Sequence, residues 1–101
     1  MSAFKDQLTE AMKDAMRAKD KFRLGVIRMA LAEIKRIEVD ERSDVDDARC
    51  LALLDKMVKQ RRDAAQQFID GDRQDLADTE LAEVEVLQTF LPAPLTDAEI
   101  D

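Results

Sequence analysis

Leu51-Ala52-Leu53-Leu54-Asp55-Lys56-Met57-Val58-Lys59-Gln60-Arg61-Arg62-Asp63-Ala64-Ala65-Gln66-Gln67-Phe68 decides the fold. Leu51, Leu54, Val58, Arg61, Ala65 and Phe68 follow alternating steps of three and four. That is the spacing of a helix seam facing an antiparallel partner. The pattern predicts a helix from about Val45 to Asp70. Ser43 with Asp46 reads as a capping box at its start. Gly71 stands where a helix C-terminus favours a left-handed residue. At about 1.5 Å per residue such a helix would span nearly 40 Å, so it should project or pair with a long neighbour.

Working outward, three more helical segments appear. Ala77, Leu81, Val84, Leu87 and Leu91, with Phe90 beside them, make an apolar stripe on a fourth helix. Asp72 or Asp75 can begin that helix, and it ends before Pro92. Upstream, Phe4, Leu8, Ala11, Met12, Ala15 and Met16 form the stripe of a first helix, about Ala3 to Ala18, with Ser2 as its N-cap. Lys19-Asp20 is a tight break, and Asp20 can cap a second helix, about Lys21 to Val39. Leu24, Ile27, Leu31 and Ile34, broadened by Val26, Ala30 and Ile37, give that helix a wide apolar face, as expected of a central helix. Gly25 costs it about 1 kcal/mol relative to Ala. Close approach of another helix would compensate, and a ligand contact is the other reading.

The expected fold is all-α: a small antiparallel bundle of four helices with a long third helix. Leu91-Pro92-Ala93-Pro94-Leu95-Thr96-Asp97-Ala98-Glu99 then reads as a stiff connector and a capping box. Residues 1–91 are accordingly expected to form one helical domain. Residues 92–101 would be a linker and the start of a second helical domain, cut short at Asp101.

Composition agrees with long helices and few turns. The chain has 101 residues, 46% apolar and 39% charged, with two glycines and two prolines. Its net charge of −7 is unevenly spread. Residues 70–101 carry one basic residue against ten acidic ones, whereas residues 12–36 carry eight against three. An anionic partner for the basic part is one reading, and ordinary solvated helix faces are the other. Cys50 is the only cysteine and is expected to be a buried small hydrophobe. No apolar run approaches the roughly 20 residues of a membrane span. A cytoplasmic, reducing location is expected.

Histidine is absent, which removes the usual general base and zinc ligand. No glycine-rich phosphate loop exists. No metal, cofactor or catalytic residue is expected. The basic residues are the better candidates. Arg17, Lys19, Lys21, Arg23 and Arg28 surround the corner between the first two helices. Lys59 and Arg62 share a face of the third helix. Arg61 lies near the apolar seam, where it can bury its stem and reach a carboxylate or a phosphate; an internal ion pair with Glu80 or Glu83 is one reading and a phosphate contact the other.

These stretches resemble the GatB/YqeY family. The matching pieces are Met12-Lys13, Ala15-Met16-Arg17-Ala18-Lys19-Asp20-Lys21, Arg23-Leu24, Ile27-Arg28-Met29, Lys59-Gln60-Arg61-Arg62-Asp63 and Gly71-Asp72-Arg73-Gln74-Asp75-Leu76. Glu80 to Glu83, Leu87, Phe90-Leu91-Pro92 and Leu95 complete the set. The resemblance implies a stand-alone YqeY-like protein, with an N-terminal helical bundle followed by a smaller helical domain. It relates the chain to the tail of the B subunit of the glutamine-dependent Asp/Glu-tRNA amidotransferase, thought to engage tRNA. The family label is carbon–nitrogen ligase activity with glutamine as amido-N-donor. The expectation is therefore a tRNA-binding module using Arg17, Lys19, Lys21, Arg23, Arg28, Lys59 and Arg62, not catalytic by itself. The alternative is a protein-interaction module that docks a partner through the acidic fourth helix or the long third helix, or a module that self-associates through exposed parts of the long helix.

Overall fold

Phe68 and its neighbours end a helix that folds back on the next one, and this hairpin organises the molecule. A computed structural model describes residues 3–92 of the chain. It contains α1 (Ala3–Arg17), α2 (Lys21–Glu41), α3 (Asp47–Asp70) and α4 (Gln74–Gln88). The expected Ser2 cap and the Thr96–Glu99 capping box lie outside the described residues.

The all-α bundle with a long third helix is observed. The largest contact is between α3 and α4, joined by a three-residue turn, and α2 touches all three other helices. Leu8, Ile27, Ile34, Val45, Cys50, Leu54, Val58 and Leu87 are the largest fully buried side chains. They come from every helix and from the α2–α3 turn. At about 25 cal/mol per Å² of apolar surface, this shared core supplies most of the driving force.

The seam of α3 carries the fold as expected, with one polar member. Arg61 Nε donates to Glu83 Oε1 at 2.8 Å, and its Nη1 donates to the Met57 carbonyl at 3.3 Å. Its side chain is 14% exposed and that of Glu83 19%. The internal ion pair is thus the role the structure gives Arg61. Glu83 turns inward to meet it, and Leu81, expected in the α4 stripe, lies 39% exposed at its edge.

Local signals placed some boundaries well and others a turn away. Asp20 caps α2 by accepting the Arg23 N–H at 3.1 Å. For α3 the cap is Asp46, which accepts the Arg49 N–H at 2.9 Å, and not Ser43. The physical reason is apolar: Val45 just before the cap and Cys50 in the first turn are both buried, a staple that fixes where the chain enters the helix. Gly71 ends α3 but at φ −89°, and the left-handed residue is Asp72 at φ 62°. A Cβ on Gly71 would sit 3.3 Å from the Gln67 carbonyl oxygen, which accepts the Gly71 N–H. Neither Asp72 nor Asp75 caps α4. Arg73 occupies that position, and its guanidinium grips Asp75 instead.

Gly25 departs from expectation most clearly. No other helix approaches it: among the described residues, nothing lies within 4 Å of where its Cβ would stand.

Candidate nucleic-acid interface

The corner between α1 and α2 is built by two short-range devices. The Lys19 N–H donates to the Met16 carbonyl and the Asp20 N–H to the Ala15 carbonyl, which closes α1. Lys19 itself takes φ 58°. Asp20 then opens α2. Only one residue of that turn, Lys19, has left-handed geometry, so the cations on either side are held close together along the chain.

Five of the seven candidate cations belong to this corner. Arg17 ends α1 and pairs with Asp14 at 2.8 Å. Lys19 occupies the turn and Lys21 opens α2, both exposed. Arg23 is half-buried, with its guanidinium 5.2 Å from the centre of the Phe90 ring. Arg28 is exposed two turns along α2 from Lys21. The remaining two are on α3. Lys59 pairs with Asp55 at 3.0 Å, and Arg62 borders a shallow groove of about 480 Å³ that also holds Leu51, Val58 and Leu91. Arg23 packs on Phe90 while Arg62 lies by Leu91, so the end of α4 stands between the corner and the α3 cations.

Ion pairing divides the set. Arg17 and Lys59 hold exposed pairs within their own helices, each worth about 0–1 kcal/mol and easily exchanged. Among the described residues, no ion pair engages Lys19, Lys21, Arg28 or Arg62. The unengaged positive charge is therefore densest at the corner.

Two features of this surface escaped the sequence reading. Phe22 is 45% exposed and Met29 36% exposed, seven residues apart on α2. Both fall off the Leu24–Ile27–Leu31–Ile34 stripe, which was the available signal.

The carboxylates with perturbed titration point to structure. Lys5 holds the Glu38 carboxyl below its ordinary range, assisted by the Val45 N–H. Arg49 does the same to Glu41, and Arg73 to Asp75. None of these shifts moves a carboxyl up toward neutrality, as a general acid would need. No group of three or more Cys, Asp or Glu residues among the described residues is placed to hold a metal ion. No described helix is long and apolar enough to cross a membrane.

Fold and surface together define a small helical-bundle domain presenting a basic corner. The chain belongs to the YqeY family: the family described as Yqey-like protein matches residues 5–101. Among its relatives, the "Altered inheritance of mitochondria protein 41, mitochondrial" of Lachancea thermotolerans is 36% identical over 97 residues, covering 93% of this chain and 52% of the relative. The protein of the same name from Kluyveromyces lactis is 33% identical over 87 residues, covering 85% and 47%. An uncharacterized protein of Schizosaccharomyces pombe is 30% identical over 79 residues, covering 78% and 64%. The chain spans about half the length of the two mitochondrial relatives.

These names overturn the cytoplasmic expectation, because the relatives are named as mitochondrial proteins. A single buried cysteine fits any reducing compartment, so that signal could not discriminate between them.

Proposed function

We propose that this chain is an accessory RNA-binding module of the tRNA-handling kind, contributing by positioning tRNA and not by chemistry of its own. The observation that carries the reading is the set of unengaged cations, Lys19, Lys21 and Arg28, gathered at one corner of a chain whose net charge is −7. Phosphate contacts by lysine and arginine supply sequence-independent affinity, which falls steeply with salt. In an amide-transfer setting, such as the glutamine-dependent ligase label of the wider family, the module would hold the tRNA for a catalytic partner. The names of the relatives make the mitochondrion the compartment in which to look.

The test is a fluorescence-anisotropy titration of bulk tRNA at low and near-physiological salt. Salt-sensitive binding that drops at least tenfold in Lys19→Glu/Lys21→Glu supports the reading. Absence of tRNA binding at low salt refutes it.

A second reading, docking of a protein through α4, rests on Leu81, 39% exposed on the same helix as the exposed acids Asp78 and Glu85. Loss of self-association or of a stoichiometric protein partner in Leu81→Glu, read by light scattering, would favour it.

A further inference from the structure

The exposed face of α2 has an internal order that the basic corner alone does not explain. Along one side run Lys21, Arg28 and Lys35, spaced by seven residues, two helical turns apart. Along the other run Phe22 and Met29 at the same spacing. Between the two rows lie the exposed small residues Gly25 and Ala32. The result is a shallow trough with a cationic wall, an apolar wall and a floor that carries only the Ala32 methyl and, at Gly25, no side chain at all.

The floor is the informative part. A glycine inside a helix destabilises it by roughly 1 kcal/mol relative to alanine. Close helix packing would account for it, and the open space around Gly25 removes that account. Among the described residues nothing packs on this glycine. Its lack of a side chain is open to something that approaches α2 from outside.

Resting on the tRNA reading above, we infer that the trough seats an unpaired RNA strand, as found in a loop or at an end, in preference to a regular duplex. The sugar–phosphate backbone would follow Lys21 and Arg28. A splayed base would stack on Phe22, its neighbour would lie against Met29, whose sulfur accepts from the Arg61 guanidinium at 2.7 Å, and the strand would come down onto the helix at Gly25. A cationic track combined with an aromatic platform is the arrangement that binds single strands, because every base offers a π-face. Duplex RNA hides those faces and would use only the cationic wall.

The experiment measures the affinity of a labelled 12-nucleotide unstructured RNA and of a blunt RNA duplex of equal length, by anisotropy at fixed salt. Gly25→Leu fills the floor with a good helix former and leaves the charge unchanged. Phe22→Ala removes the stacking platform, and Ala48→Leu on α3 is the control for an added exposed side chain. Thermal unfolding confirms that each variant is folded. The expected result is at least tenfold tighter binding of the single strand than the duplex. Gly25→Leu and Phe22→Ala should each lose roughly tenfold or more, while Ala48→Leu is unchanged. Equal affinity for both RNAs, or a Gly25→Leu variant that binds like wild type, would overturn the trough. If bulk tRNA still binds in that case, the corner reading survives on its own. If neither oligonucleotide nor tRNA binds, both fall.

Discussion

The two ends of α2 treat charge in opposite ways. At its C-terminal end ion pairs gather: Lys5 meets Glu38 at 2.5 Å, Arg49 meets Glu41 at 2.6 Å, and Arg36 reaches both Glu33 and Asp40. Glu38 also accepts the Val45 N–H at 3.0 Å, so one carboxylate ties α1, α2 and the approach to α3 together. The Phe4 N–H donates to Asp47 Oδ1, adding a second tie between α1 and α3. At the N-terminal end Lys19, Lys21 and Arg28 engage no acid among the described residues. At one end Lys5–Glu38 and Arg49–Glu41 join one element to another, and at the other end three cations stand without such pairs among the described residues. Residue type does not separate the two ends; the placement of acids around the bases does.

The largest expected effect breaks the clamped end from within. Ile34→Ala, at a site 1% exposed, should cost about 2–5 kcal/mol, read as a lower urea midpoint with an unchanged slope. Next comes the clamp itself. Both Glu38 and Glu41 titrate below the ordinary 4.5 when folded. Their contribution is present above that value and fades as pH falls through the lower folded values. Glu38→Gln should therefore weaken the fold at pH 7 and narrow its difference from wild type by pH 3, in paired denaturation curves. A difference that grows on acidification would contradict the clamp.

The free end should respond in the other direction. Gly25→Ala fits the open space and removes a helix penalty, so it should stabilise by about 0.4–1 kcal/mol. Smallest of all, Lys19→Glu/Lys21→Glu should shift stability by no more than about 0.5 kcal/mol while disrupting tRNA binding. A large loss of stability there would mean that the corner charges serve the fold after all.

Much of this architecture could be read from spacing. The steps of three and four in Leu51–Phe68 announced α3 and its antiparallel partner, and Asp20 announced its own cap. Such features are legible because each depends on residues one turn apart. The misreadings share a different cause. Ser43 and Asp46 are both competent caps, and burial of Val45 and Cys50, a tertiary matter, chose between them. Gly71 and Asp72 compete for the left-handed position, and the backbone gave it to the aspartate. Leu81 stands at the edge of the α4 face, and Glu83 turns inward to a long-range partner, Arg61, that spacing within α4 does not show. The cations of the corner were visible as residues. The pairs of Arg17 with Asp14 and of Lys59 with Asp55 lie one turn apart and were open to the same reading by spacing; the packing of Arg23 on Phe90 was not, because it depends on side chains brought together by the fold. Gly25 was conspicuous in the sequence, but only the absence of a neighbour gives it meaning.

Lys19 illustrates what selection for heat resistance would do to this molecule. It holds φ 58°, a backbone region that costs a residue with a Cβ about 1–2 kcal/mol and costs glycine almost nothing. A screen for thermostable variants would replace Lys19 by glycine or asparagine early. The enriched clones would fold better and would each lack one positive charge at the α1–α2 corner.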